Sequence, residues 1–109
     1  LEQAKQIYLR EYWDRVRCDE LPGGLGFLIF DCAVNQGTRT ATKFLQRALR
    51  VTDDGVIGPA TIAAANKADT NELIVNFSAE RALHYAGLDD FKLYGKGWLR
   101  RLIHTARVA

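Results

Sequence analysis

Methionine is absent from the 109 residues, and proline, cysteine and tryptophan occur only twice each. No apolar stretch approaches the roughly 20 residues that a membrane-spanning helix needs. The longest, residues 25–33, is interrupted by Gly26 and Asp31. A strong excess of one charge is also missing, since 15 Lys and Arg face 13 Asp and Glu. We therefore expect no membrane span, and the charge favours neither nucleic acid nor an anionic membrane as a partner.

The scarcity of cysteine and histidine argues against a metal site. Cys18 and Cys32 could form a disulfide, but two buried or half-buried free thiols are the simpler expectation. His84 and His104 stand apart along the chain and are expected to be surface or packing residues. The Asp54-Gly55 pair does not belong to an EF-hand calcium loop, because aligning Gly55 with the sixth position puts Arg50 first and Thr61 twelfth, where acidic residues are needed. No cofactor or metal is predicted.

Helical periodicity runs through the chain, and no segment alternates strictly between polar and apolar residues. It predicts an all-α fold of about six helices in one domain, or the α-rich lobe of an α+β protein. The predicted helices cover about 1–13, 25–36, 38–49, 59–65, 70–87 and 98–107. Breaks are predicted at 19–24 and 95–97, where Pro or paired Gly occur.

Several residues predict where these helices begin and end. Gly37 is expected to end the second helix, and Thr38 or Thr40 to cap the third. Pro59 fits the first turn of the fourth helix, and Asp69 with Glu72 the start of the fifth. In the last helix, Trp98, Leu99, Leu102, Ile103 and Ala106 predict a buried stripe headed by Trp98, while Arg100, Arg101 and Arg107 predict a solvated face.

The second helix carries two polar residues within an apolar sequence. Asp31 and Asn35 are four positions apart and therefore share a face. A carboxylate in such a helix is costly to bury unless it is paired or opens onto a cleft. Two hypotheses follow: the pair lines a cleft that holds a polar substrate, or Asp31 is a structural partner of an arginine.

A second candidate site is the cluster of aromatic and acidic residues near the start. Tyr8, Tyr12 and Trp13 lie beside Glu11 and Asp14. Sugar C–H faces pack on aromatic rings while carboxylates bind hydroxyl groups, so the cluster suits carbohydrate. Core aromatics beside solvated acids explain the same pattern.

Four stretches in this order resemble one family. They read YLREYWDRVRCDELP at 8–22, FDCAVNQG at 30–37, LQRALRVTDDGVIGPATIAA at 45–64 and FKLYGKGWLRR at 91–101. Together they resemble the bacterial and phage lysozymes of glycoside hydrolase family 108, also called secretion activator proteins, with their C-terminal peptidoglycan domain. The third stretch is also similar to the common peptidoglycan-binding repeat.

The resemblance implies an N-acetylmuramidase that cuts the β-1,4 bond between N-acetylmuramic acid and N-acetylglucosamine. Residues 1–37 would then be the rest of the catalytic region, and 38–109 a peptidoglycan-binding part packed on it. The family's catalytic glutamate lies in a His-Glu-Gly-Gly motif, which is missing from these residues. We therefore expect the chain to be part of a longer protein and to be inactive alone. It would act at the bacterial cell wall, in the periplasm or after export.

The residues that match the family pattern as substrate-binding candidates are Tyr12, Asp31, Asn35 and Gln36. Asp31 is also a candidate second polar group beside the missing acid. One departure concerns the family's Gly-Trp-x-Asn-Arg pattern, in which Arg100 replaces the asparagine. Two other functions remain open, namely a non-catalytic wall-binding module and a helical nucleic-acid binder that uses Arg100, Arg101 and Arg107. The acids Asp89 and Asp90 argue against the latter.

Overall fold

The computed structural model describes residues 2–87 and 91–108. Asp89, Asp90 and Leu1 lie outside the described residues. The described part contains six α-helices, one short 3₁₀ turn (Cys18–Glu20) and no strand, which confirms the all-α prediction. The helices are α1 (Glu2–Arg15), α2 (Gly23–Gln36), α3 (Thr38–Leu49), α4 (Pro59–Lys67), α5 (Thr70–Ala86) and α6 (Phe91–Val108). Within this part, no helix has the length and apolarity that crossing a membrane requires.

The second helix is the centre of the fold. Its residues are apolar on most sides, so it can be covered all round, and it packs against α1, α3, α5 and α6. Leu25, Leu28 and Ile29 are fully buried in it. Gly26 lets the 3₁₀ turn approach, because a Cβ at this position would lie 2.9 Å from the carbonyl oxygen of Cys18. The central place of α2 brings Asp31 close to residues from the C-terminal half of the chain.

The helix ends follow the sequence signals with two exceptions. Gly37 ends α2 with a φ of 98°, Pro59 begins α4, and Asp69 Oδ1 accepts the Glu72 backbone N–H at 2.9 Å. The prediction that a threonine caps α3 is wrong, because Gly37 holds that place and Thr38 is already helical. The break predicted at 95–97 is also wrong, since α6 continues through it. Each glycine costs a helix only about 1 kcal/mol, and packing of α6 on α5 outweighs this.

The stripe predicted along α6 is only partly correct. Leu102 is buried, but Ile103 is 61% exposed and Trp98 is half-buried rather than part of the core. The core is formed mainly by α2, α3 and α5, where Phe44 and Phe77 meet edge to face with centroids 6.3 Å apart. Trp98 thus lies at the edge of the core, where it can meet a ligand.

A buried glutamine stabilises the loop between α3 and α4 through hydrogen bonds. The Gln46 side chain donates from Nε2 to Asp54 Oδ1 at 2.9 Å and to the Val56 carbonyl oxygen at 3.0 Å. Its Oε1 accepts the Gly55 backbone N–H at 2.9 Å. The amide therefore takes the place of the backbone partners that this loop lacks. This explains why glutamine and Asp-Gly occur together in the stretch at 45–64.

Candidate functional site

The carboxylate of Asp31 lies between two arginines. Its Oδ2 is 2.9 Å from Arg81 Nη1 of α5, and its Oδ1 is 2.6 Å from Arg101 Nη2 of α6. The Asp31 side chain is 12% exposed, that of Arg81 is fully buried and that of Arg101 is half exposed. Thr105 Oγ1 lies 3.5 Å from Oδ2. Asp31 thus joins three helices, as the structural-partner hypothesis describes.

The two amides that follow Asp31 along α2 have fixed orientations. Asn35 Nδ2 donates to the Asp31 carbonyl oxygen at 2.7 Å, and Gln36 Oε1 accepts from Arg81 Nε at 2.7 Å. A carbonyl oxygen only accepts and a guanidinium only donates, so neither amide can turn round without losing its bond. Asn35 therefore keeps an oxygen, and Gln36 a nitrogen, for other partners.

These amides line a pocket between α2, α5 and α6. The pocket has a volume of about 310 Å³. Its lining residues are Asn35, Gln36, His84, Tyr85, Trp98 and Arg101. Three of the four predicted substrate-binding residues, namely Asp31, Asn35 and Gln36, are thus brought together at or beside one pocket, and Asp31 acts from behind it through Arg101.

One wall of the pocket is aromatic. The rings of Tyr85 and Trp98 stack with centroids 5.3 Å apart and planes 23° from parallel, and His84 meets Phe44 edge to face at 5.3 Å. Partial burial raises the pKa of Tyr85, and the positive charge of Arg81 offsets part of that rise. Tyr85 is therefore a neutral hydroxyl near pH 7 that accepts from Arg81 Nε at 3.2 Å. A flat wall beside fixed polar groups is typical of small-ligand sites.

Tyr12, the fourth predicted substrate-binding residue, lies elsewhere. It is half-buried on α1, where its hydroxyl is 3.0 Å from that of Tyr8. Trp13 beside it packs edge to face on Phe30 at 5.3 Å and donates from Nε1 to Asp19 Oδ1 at 2.8 Å. Trp13 is thus a packing residue, and Tyr12 is not among the lining residues of the pocket.

Both thiols are free and buried, as expected. Burial raises the pKa of the Cys18 and Cys32 thiols to about 12 each, so they are neutral packing groups. Among the residues that the structure describes, no three His, Cys, Asp or Glu side chains come together as a metal site would require.

Sequence reasoning missed Arg81 and Tyr85 and misassigned Trp98 and Arg101. A signal for Arg81 was present, because it follows Phe77 by four positions and so falls on the buried face of α5. An arginine on a buried face and an aspartate in an apolar helix indicate a pair. Arg101 could not be separated from its neighbours by sequence, since its contact depends on how α6 crosses α2.

The comparisons with known proteins agree with this architecture. The family model described as glycosyl hydrolase 108 matches residues 1–37, and the one described as a predicted peptidoglycan domain matches residues 40–103. The second model covers more than half of the chain, so the chain belongs to the family of predicted peptidoglycan domains, and its first 37 residues match glycosyl hydrolase 108. No curated protein matches the chain.

Solved structures also match this chain. SagA of Brucella abortus is 33% identical with a TM-score of 0.95, and the match covers 98% of this chain. The chain spans 62% of the length of SagA. The pocket draws residues from both family matches, with Asn35 and Gln36 from the first and Tyr85, Trp98 and Arg101 from the second. Arg100, at the position of the family's asparagine, lines a separate open groove with Arg107.

Proposed function

We propose that this chain is part of a peptidoglycan hydrolase that cuts the β-1,4 bond between N-acetylmuramic acid and N-acetylglucosamine. The observation that carries the proposal is the succession of two family matches, a glycosyl hydrolase followed by a peptidoglycan domain, along one helical fold. The proposed place of action is the bacterial wall, in the periplasm or after export.

In this proposal the residues around the pocket bind the peptidoglycan substrate and hold it in place. Hydrolysis needs a carboxylic acid that protonates the leaving oxygen. The family resemblance puts that acid in a His-Glu-Gly-Gly motif, which these 109 residues do not contain. Asp31 is poorly suited to replace it, because both of its oxygens face arginines. Its proposed role is to hold Arg101 at the pocket, where Asn35 and Gln36 offer their amides.

The proposal is tested by digesting purified wall with the full-length protein. New reducing ends are reduced with borohydride, and the sugar alcohol is identified after acid hydrolysis. A muramidase gives muramitol, and a rise in muramitol over an undigested sample is the expected result. Glucosaminitol, or no new reducing end at all, would contradict the proposed bond.

The alternative is a non-catalytic wall-binding module, which the match over residues 40–103 favours. It predicts that the full-length protein pellets with purified wall and leaves no new reducing ends. Replacing the glutamate of the His-Glu-Gly-Gly motif by glutamine separates the two functions. In an enzyme this change abolishes release of reducing ends while wall binding continues.

A further inference from the structure

The pocket has more hydrogen-bond donors than its own residues use. Gln36 Nε2 is closed off from solvent and, within the described part of the chain, has no hydrogen-bond partner. The same holds for Nη2 of the fully buried Arg81, whose Nε contacts the Gln36 side chain. A buried donor without an acceptor is costly, and native proteins rarely keep one without a reason. Gln36, which lines the pocket, and Arg81, which contacts Gln36 from behind, thus each keep a donor without an acceptor.

The charges around the pocket point to the kind of acceptor that is missing. Asp31 supplies one negative charge, whereas Arg81 and Arg101 supply two positive charges. Arg81 is fully buried, so its charge is weakly screened by water. Arg101 uses Nη2 on Asp31 and, being half exposed, keeps further N–H groups at the pocket. A positive cluster with free donors fits an anion, and a guanidinium matches a carboxylate best.

We propose that this pocket binds a carboxylate of the peptide that is attached to the glycan strand. This inference rests on the proposed function, because it takes its ligand from the wall. The carboxylate lies against Arg101 and accepts from Gln36 Nε2, which a small side-chain shift brings to the pocket surface while Gln36 Oε1 stays bonded to Arg81. The aromatic wall of Trp98 and Tyr85 packs against the apolar part of the same ligand. The pocket then recognises the peptide, and the glycosidic bond is cut at another place in the protein.

The experiment compares two ligands that differ only in charge. The full-length protein is titrated with muramyl dipeptide and with the methyl ester of its free carboxylate, and binding is followed by NMR. N-acetylglucosamine serves as a control ligand, because it contains a sugar but no peptide. We expect muramyl dipeptide to bind at least tenfold more tightly than the ester, because a charged hydrogen bond is lost. Equal affinity for acid and ester would overturn the proposal.

A single substitution tests the pocket itself. Gln36→Glu keeps an oxygen for Arg81 Nε, but it replaces the free donor by a negative charge. We expect a loss of affinity for muramyl dipeptide of tenfold or more, with an unchanged melting temperature. Gln6→Glu, an exposed residue on α1, is the matched control and should bind normally. Normal binding by the Gln36 variant would mean that the peptide binds elsewhere.

A second variant covers the case in which Gln36→Glu does not fold. Arg101→Gln removes a half-exposed cation and leaves Arg81 on Asp31. It should weaken the binding of muramyl dipeptide about tenfold and leave the weaker binding of the ester unchanged. If both ligands weaken equally, the carboxylate is not what Arg101 recognises. Release of muramitol by the full-length protein is measured in parallel, so a failure of this inference differs visibly from a failure of the proposed function.

Discussion

Breaking the ion pair between Asp31 and Arg81 should destabilise the fold more than breaking any other contact of this site. The substitution Asp31→Asn keeps the shape of the side chain and removes its charge. Arg81 is fully buried and would then lose its only charged partner within the described residues. Breaking a buried pair by removing one partner typically costs about 3–5 kcal/mol. The Arg101 contact adds little, because a half-exposed pair contributes at most about 1 kcal/mol.

These magnitudes convert into melting temperatures. For a domain of about this size, 1 kcal/mol shifts the melting temperature by roughly 4–8 °C. Asp31→Asn should therefore lower it by about 12–40 °C, and Arg101→Gln by no more than about 8 °C. Circular dichroism at 222 nm during heating measures both. The two variants are a matched pair, since each removes one end of a contact to the same carboxylate.

A double substitution tests whether the unpaired arginine causes the loss of stability in Asp31→Asn. If the loss in Asp31→Asn comes from an unpaired buried cation, adding Arg81→Met should recover part of it, because the cation is then gone. The two single effects would sum to more than the effect of the double variant. A melting temperature of Asp31→Asn within about 3 °C of the wild type would refute the reasoning. Asp31 would then be a solvated residue at the edge of α2.

Three further predictions concern other parts of the chain. Gln46→Glu should lower the free energy of unfolding by at least about 3 kcal/mol in denaturant titration, since the new oxygen would face Asp54 Oδ1 and a carbonyl instead of donating to them. At pH 8 the Cys18 and Cys32 thiols should react with Ellman's reagent only after denaturation. Their pKa values of about 12 leave only about one thiol in ten thousand ionised. Fast reaction in the native state would contradict their burial. Residues 1–109 alone should leave the turbidity of a wall suspension unchanged, because a missing general acid costs about 10²–10⁴ in rate, and clearing would mean that a carboxylate within them is catalytic.

Local signals predicted the helices well because each signal acts within a few residues. Gly37 ends α2 through its own positive φ, and Asp69 caps α5 through a backbone N–H three residues on. The glycines near the start of α6 failed as signals because their effect is small compared with packing between helices. Periodicity also placed Ile103 in the core, although it is exposed. Which side of α6 is covered depends on the neighbours α2 and α5, and these lie far away along the chain.

Only the part of the candidate site that lies on α2 could be predicted from the sequence. Asp31 and Asn35 stood out because polar residues in an apolar helix need an explanation, and Gln36 followed from the resemblance. The arginine and threonine partners of Asp31 and Gln36 come from residues 45 to 74 positions later, so spacing along the chain gave no sign of them. Tyr12 shares the family pattern, yet the structure places it on α1 beside Tyr8 and away from the pocket lining. Its role in binding stays a prediction.

The pocket lies where the two family matches meet in the fold. Its amides end α2, in the first match, while its aromatic wall and its exposed cation belong to α5 and α6, in the second. The same aspartate that holds the exposed cation also neutralises a buried one, so fold stability and pocket charge depend on one carboxylate. An activity lost in an Asp31 variant therefore says nothing about binding until its melting temperature is known. Gln36 is the better probe, because its bond to Arg81 uses the oxygen and its nitrogen has no partner among the described residues.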